Sequence, residues 1–387
     1  MMDVPDGPAV EEKKGGRNFL KFGAIGCGGL IVLCILFSVG AYLYTERQKT
    51  QLIDAAAENR ASGNYEEAIT NLNQLIDEFP DSEEAADART TIPEVELEWA
   101  VALNESGDYT AAQEKLEALM ATESGPVADN ARANLAFSYV GLAEQAITNG
   151  DVPGAYANYL NVFDEYGSGD GRQAALDSFA ANFVGPLFEF AQNKENDGVY
   201  SDAALGYSAI DEYAPDSVEA AQARALIANA YYGWGVQLTD EGSFDEAIEK
   251  LEIVVNEYPN SEAAVAAAEA LIDARVAAVA ASGEAGALPA PLAAGGGEGG
   301  DTATYDVEND TICPILLLAS GPDSQALKIP AGTSIQSEFV PGTYNVVVQT
   351  DDDEELSDYC QDIIPFTGEY AFEGGYIYES SFYIESE

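Results

Sequence analysis

Histidine is absent from the 387 residues. With it go the commonest general base, the commonest zinc ligand and the usual switch between about pH 5 and 8. The Ser-His-Asp and Cys-His hydrolase arrangements are excluded as well. Basic residues are scarce: 16 Lys and Arg face 68 Asp and Glu, for a formal net charge of -52. The first 50 residues carry net +1, so the other 337 hold −53. Such a field repels nucleic acid and anionic membrane surfaces, which drop out as partners of the main body and leave basic or neutral proteins and cations. It also keeps an alanine-rich surface in solution. No Gly-rich loop ends in lysine, so the common phosphate cradle is missing. Carboxylates abound, but no pair is singled out for glycosidase chemistry. Asn193, Glu195, Asp197 and Gly198 open like a calcium loop, but Ala204 stands where the twelfth position needs glutamate. Asp351-Asp352-Asp353-Glu354-Glu355 reads as a solvated hairpin loop. No catalytic residue, metal ligand or cofactor is expected, and the chain is read as a non-enzyme.

What is present begins with one long apolar run. Phe22 to Tyr44 is 23 residues without a charge, about 34 Å as a helix against a hydrocarbon core of about 30 Å. Tyr42 and Tyr44 lie at one end, where interfacial aromatics belong. A cleaved signal would be shorter and followed by a small-residue site, whereas this run continues into Thr45-Glu46-Arg47. Ala24-Ile25-Gly26-Cys27 fails as a lipoprotein site because the apolar stretch follows Cys27. Lys13, Lys14, Arg17 and Lys21 precede the run and only Arg47 and Lys49 follow it closely, which places the N-terminus inside. The expectation is a cytoplasmic tail (1–21), one transmembrane helix (22–44) in the plasma or inner membrane, and an exoplasmic remainder (45–387).

Internal repetition is the next signal. Gly63-Asn64-Tyr65-Glu66-Glu67-Ala68 returns as Gly107-Asp108-Tyr109-Thr110-Ala111-Ala112, more weakly as Gly150-Asp151-Val152-Pro153-Gly154-Ala155, then as Gly198-Val199-Tyr200-Ser201-Asp202-Ala203 and Gly242-Ser243-Phe244-Asp245-Glu246-Ala247. Successive glycines are 44, 43, 48 and 44 residues apart. A second phrase closes units: Phe79-Pro80-Asp81-Ser82, Tyr213-Ala214-Pro215-Asp216-Ser217 and Tyr258-Pro259-Asn260-Ser261, with Tyr166-Gly167-Ser168 as a degenerate copy. Glycine permits the left-handed turn that ends a helix. The aromatic and the alanine open the next one and pack. Ala68, Ile69, Leu72, Leu75 and Ile76 make a helical stripe. Pro80, Pro215 and Pro259 stop that helix, and Asp81, Ser82, Ser217 and Ser261 are positioned to cap its successor. Each unit is thus a long helix before the glycine and a shorter one after it. No pair buries its apolar face alone, so the pairs stack into a solenoid. Pro93, Gly185 and Pro186 fall inside long segments and are expected to kink or split them. Trp99, Trp234, Tyr231, Tyr232, Phe137 and Tyr139 sit in the long helices, where packing between pairs is the expected use.

This pattern resembles the tetratricopeptide repeat, in the variety found in bacterial envelope proteins, over roughly residues 48–281. The period exceeds the usual 34, so the first helix of each unit is expected to be about two turns longer. The resemblance implies a protein-binding scaffold.

After Ala281 the composition changes. Residues 282–304 are Gly-, Ala- and Pro-rich without periodicity and are read as a flexible tether that lets the two ends move independently. From Tyr305 to the end, apolar runs at Ile315–Leu318 and Tyr344–Val348, with turns at Pro330-Ala331-Gly332-Thr333 and Pro341-Gly342-Thr343, indicate a small antiparallel β-sandwich (305–387). Its small core needs a staple. Cys313 and Cys360 are the cysteines outside the apolar run, and in an exoplasmic module they are expected to form a disulfide. Cys27 and Cys34 are read as small packing residues of the span. The Val307–Cys313, Ile329–Ser334 and Pro341–Tyr344 strings resemble a small β domain at the ends of bacterial secreted and envelope proteins, a resemblance that implies no activity. The fold expected is therefore mainly α, an α-solenoid of tetratricopeptide-like pairs between one membrane helix and a β-sandwich.

Two functions follow. In the first, the anchored solenoid binds protein partners and organises the cell envelope. In the second, the β module binds a surface polymer or glycan by stacking Tyr370, Phe372, Tyr376, Tyr378 and Tyr383 on sugars, and the solenoid is a spacer.

Overall fold

The computed structural model describes residues 19–166, 168–297, 299–351, 360 and 363–383, with side chains from residue 33 onward. Residues 1–18 of the expected tail and the Asp352–Glu355 part of the acidic loop lie outside the described residues. The chain divides into two compact units, one with residues up to Leu142 and Leu160–Arg172, the other with Ala143–Tyr159 and residues from Gln173 on.

Twelve helices precede the strands among the described residues: α1 (Phe19–Ala61), α2 (Tyr65–Glu78), α3 (Glu83–Ser106), α4 (Tyr109–Thr122), α5 (Pro126–Thr148), α6 (Val152–Glu165), α7 (Asp170–Ser178), α8 (Val184–Asn196), α9 (Tyr200–Tyr213), α10 (Val218–Glu241), α11 (Phe244–Glu257) and α12 (Ala264–Ser282). The five helices that follow the repeat glycines, α2, α4, α6, α9 and α11, each have 14 residues. Four of them start on the repeat aromatic, Tyr65, Tyr109, Tyr200 or Phe244, and the fifth on Val152.

The turns explain this regularity. Gly63, Gly107, Gly150, Gly198 and Gly242 all adopt φ between 74° and 86°. At each, the glycine N–H bonds back three residues and the next N–H bonds back five, as in Gly107 to Asn104 (3.1 Å) and Asp108 to Leu103 (3.0 Å). This is the Schellman closure, which satisfies carbonyls that a helix end would leave bare. The alanine three residues after each phrase's third position, Ala68, Ala112, Ala155, Ala203 and Ala247, is fully buried. A larger side chain there would hold the helices apart. Around these alanines lie local cores: Ala56, Leu72, Leu75, Ala88 and Val95 in the first unit's opening pair, and Ala228, Leu251, Val254, Ala267 and Leu271 in the second unit.

The closing phrases act as stops. α2, α9 and α11 end two residues before Pro80, Pro215 and Pro259. The Ser82 and Ser217 hydroxyls accept from the Ala85 and Ala220 N–H groups at 3.1 and 3.0 Å, capping α3 and α10. Ser261 departs from this scheme. α12 starts at Ala264, and among the described residues the buried Ser261 hydroxyl has no hydrogen-bond partner.

Proline effects divide as well. α3 runs through Pro93 without a break, held on both sides by buried Ala88 and Val95. At Gly185-Pro186 the helix does change: Phe179–Phe183 forms a π-turn, in which the Val184 N–H reaches the Phe179 carbonyl. The wider turn makes room for a proline ring that would otherwise meet the carbonyl four residues back.

α1 continues without interruption from the apolar run into the repeats, 43 residues in all. Among the described residues no helix is long and apolar enough to cross a membrane. Of the apolar run, residues 22–32 lie outside the residues whose side chains the structure describes, which begin at residue 33. From there Leu33, Leu36, Phe37, Tyr42, Leu43 and Tyr44 are exposed.

Two sheets follow, built from β1 (Gly286–Ala287), β2 (Leu292–Gly296), β3 (Ala303–Asn309), β4 (Ile315–Ser320), β5 (Gln325–Ile329), β6 (Thr333–Phe339), β7 (Gly342–Thr350), β8 (Phe366–Phe372) and β9 (Tyr376–Phe382). Their orders are β1-β8-β7-β4-β5 and β2-β9-β3-β6. Three expectations are corrected here. The sandwich is mixed rather than antiparallel, because β1 runs parallel to β8, and the last strand, β9, returns parallel to β3. The stretch 282–304 is not a bare tether: it supplies β1, β2 and the start of β3, and Gly296 and Gly375 approach too closely for any side chain. Nor is the module independent of the helices. β4 is buried on both faces, with Leu317 in the sandwich and Leu316 and Leu318 against Ile272 and Val276 of α12. The Ser324 hydroxyl adds a 2.7 Å bond to Asp273. A strand covered on both sides reads as an unbroken apolar run, and Ile315–Leu318 is one.

Tyr305, Phe339, Tyr344, Tyr370 and Phe372 fill the sandwich interior, with neighbouring rings meeting edge-on or tilted. Burial pushes the Tyr305 and Tyr370 hydroxyls above their ordinary pKa. Cys313 and Cys360 form a disulfide across 47 positions of sequence.

Candidate functional site

The repeat phrase builds a groove in the first unit. The Gly63 turn delivers Tyr65 to the start of α2, and α3 turns Leu97, Glu98, Val101, Ala102 and Glu105 toward the same space, one helical face by spacing. Asn130 and Asn134 of α5 close the far side, and the cavity measures about 350 Å³. Its walls are fixed by side chains that act away from the opening. Ser138 donates to the Asn104 carboxamide oxygen (2.8 Å), and the Asn104 amide donates to the Asn134 carbonyl (3.1 Å), locking α3 to α5.

Charge in the groove is partly committed. Arg60 makes a two-pronged contact with Glu98, Nε to Oε2 at 2.8 Å and Nη2 to Oε1 at 2.5 Å, and lies 3.8 Å from Glu94. That hydrogen bonding holds the Glu98 carboxyl below the usual carboxylate range and raises the guanidinium pKa. Glu105 and Asn130 are exposed on the rim. The groove thus offers an apolar strip, amide hydrogen-bonding groups and negative charge. Among the described residues no group of three or more His, Cys, Asp or Glu is placed to hold a metal ion.

The aromatics of the long helices have structural neighbours. The Lys115 ammonium sits 3.3 Å from the Trp99 ring centroid and Lys250 sits 4.8 Å from that of Trp234. Tyr231 stacks on Trp234, and both pack with Tyr232 against the α10–α12 core. Phe137 is exposed, and Tyr139 receives the Gln113 amide at 3.4 Å.

Sequence reasoning missed two residues of the repeat packing. A Cβ at Gly141 would lie 2.3 Å from the Tyr109 ring, and one at Gly233 would lie 2.6 Å from the Tyr200 ring. Tyr109 and Tyr200 each pack against a glycine of the next long helix. The signal was available as a glycine 32 or 33 residues after the tyrosine, but only two of the five phrases carry it.

A family model of the tetratricopeptide repeat matches residues 41–82 and 228–261. The matches contain α2 with the end of α1, and α11 with the second half of α10. Tetratricopeptide-type helical repeats are therefore present, followed by a two-sheet β domain. Three solved structures are similar at low identity. A tetratricopeptide repeat protein from Parabacteroides merdae is 13% identical over 61% of this chain and 76% of its own, with a TM-score of 0.19. The TPR2AB domain of yeast Sti1, in complex with pHSP90, is 15% identical over 62% and 87%, with a TM-score of 0.19. The TPR domain of P58(IPK) is 11% identical over 61% and 82%, with a TM-score of 0.17. No curated protein matches the chain.

The five rings named for the polymer-binding reading are not presented together on one surface. Tyr370, Phe372 and Tyr378 are buried in the sandwich core, Tyr376 is half-buried and Tyr383 is exposed.

Proposed function

We propose that this protein is a membrane-anchored, non-catalytic scaffold that binds other proteins through the groove on α3, and that residues 45–387 face away from the cytoplasm in organisation of the cell envelope. The observation that carries the binding reading is the groove, where an apolar strip of Leu97, Val101 and Ala102 stands open beside exposed Glu105 and Asn130. Stacked helix pairs give a rigid concave surface that needs little reordering on binding. The acidic balance favours a basic or neutral partner segment. The anchor reading is supported by the uncharged run 22–44 and by the apolar side chains of Leu33, Leu36, Phe37, Leu43 and their neighbours, which are exposed among the described residues.

A photo-crosslinking residue placed in cells tests both halves. Val101 in the groove is expected to give crosslinked products of discrete mass that stay with the membrane pellet after carbonate extraction. Val218 and Val265, 73% and 72% exposed and outside the groove, are expected to give none. Equal labelling at all three positions would defeat the groove, and release of the chain by carbonate would defeat the anchor.

A further inference from the structure

The β module carries an edge that its neighbours leave open. Among the described residues β6 pairs only with β3, at the end of its sheet. The Gln325 side chain approaches β6 from outside the sheet and donates to the Glu338 carbonyl at 2.7 Å. Backbone groups alternate sides along a strand, so the even-numbered residues point theirs away from β3. Glu338 is thereby covered. Ser334 and Gln336 have the same outward orientation, and among the described residues their outward N–H and C=O groups meet no protein partner. Both residues are exposed. Natural sheets blunt such edges with lysine, proline or a bulge. β6 has none of these, and its seven-residue pairing with β3 has no register shift.

Beside this edge lies a cavity of about 1420 Å³, lined by Ser334, Ile335 and Gln336 together with Leu288, Val348 and Phe382. Asp306, Glu308 and Glu379 also face it, and among the described residues no Lys or Arg does. Asp306 sits directly across from Gln336 and accepts its amide at 2.7 Å, and Glu308 sits across from Ser334. The exposed edge therefore combines unpaired backbone groups, an apolar recess and a row of carboxylates.

We propose that β6 is a strand-addition site for an extended segment of a partner protein whose residues alternate apolar and basic. Main-chain hydrogen bonds to Ser334 and Gln336 would supply affinity, alternate apolar side chains would enter the recess next to Ile335, and basic ones would meet Asp306 and Glu308. Pairing of β6 with a second copy of itself would bring these carboxylates and Glu338 into apposition, which disfavours that occupant. The site is separate from the α3 groove, and its failure leaves the groove reading intact.

The test uses the full chain in detergent micelles and three labelled nonapeptides read by fluorescence anisotropy. One alternates Val and Lys, one alternates Val and Glu, and one is the Val/Lys peptide with its central residue replaced by Pro. The Val/Lys peptide is expected to bind saturably and at least about tenfold more tightly than either control. The Pro control carries nearly the same charge, so equal binding by it would mean attraction to an acidic surface alone and would overturn the proposal. Gln336→Pro removes one outward N–H at an edge position that tolerates proline, and it is expected to abolish binding. Should that variant fail to fold, hydrogen exchange on the unaltered chain decides. Protection of the Ser334 and Gln336 amides by the Val/Lys peptide supports the site, and its absence overturns it. A halving of the chain's mass in light scattering on Gln336→Pro would assign the edge to a second copy instead.

Discussion

The helical repeats and the β module solve the same burial problem at different ranges. In the repeats each turn, cap and alanine acts on helices next to it in sequence, as when Asp108 closes on Leu103 and Tyr109 packs on Gly141. In the module, β3 lies beside β9 some seventy residues later, and β1 beside β8 some eighty later. Local contacts can be made one unit at a time, while non-local ones form together or not at all. Damage is therefore expected to stay where it is made in the repeats and to spread through the module.

The strongest way to break that contrast is Phe372→Ala. Its ring meets those of Tyr305, Phe339, Tyr344, Tyr370 and Tyr378 at centroid distances of 4.9 to 6.2 Å. Removing it is expected to cost about 3–5 kcal/mol. Urea titration should then lose the module's near-ultraviolet circular dichroism early while the helical signal at 222 nm holds. A joint early loss of both signals would mean that the contact of Leu316 and Leu318 with α12 makes the second unit one cooperative body.

Next in size is the disulfide. Replacing Cys313 and Cys360 by Ser frees a closed loop of 47 positions, at an expected cost of about 2–4 kcal/mol to the module. The pair also reports compartment. In cells the two thiols should resist maleimide until a reductant is added, and ready labelling without reductant would contradict an exoplasmic module.

This difference in range also governs what could be read beforehand. The five glycine phrases predicted helix starts to the residue, because a left-handed turn and a buried alanine are demands on a few adjacent positions. Gly141 and Gly233 escaped notice because their partner tyrosines are a whole repeat away. In the module the Ile315–Leu318 run was visible, but its meaning, burial on both faces, depended on α12. The strand pairing of Gly286-Ala287 and of Leu292–Gly296 was not legible at all. Those segments have poor strand propensity and are held by β8 and β9, so composition alone made them a tether. The groove was foreseen only as a class of surface, since Tyr65, Val101 and Asn130 come together through stacking.

The smallest effect gives the sharpest comparison. Gly107 has φ 86°, and its turn is closed by two backbone bonds whose geometry an L side chain strains but does not forbid. Gly107→Ala is expected to cost about 1 kcal/mol, and Gly107→Asn less, because asparagine tolerates the left-handed region. The order Gly, Asn, Ala should appear in thermal unfolding of the first unit. Hydrogen exchange should place the loss of protection in the end of α3 and the start of α4 and leave α2 unchanged. The φ of Gly107 is shared by the other four repeat glycines, so the same order is expected at Gly242 in the second unit. An unchanged order there, with the loss confined to α10 and α11, would establish that each turn acts alone. A loss that reached the β-sheet aromatics from Gly242 would show instead that α12 transmits repeat stability into the module.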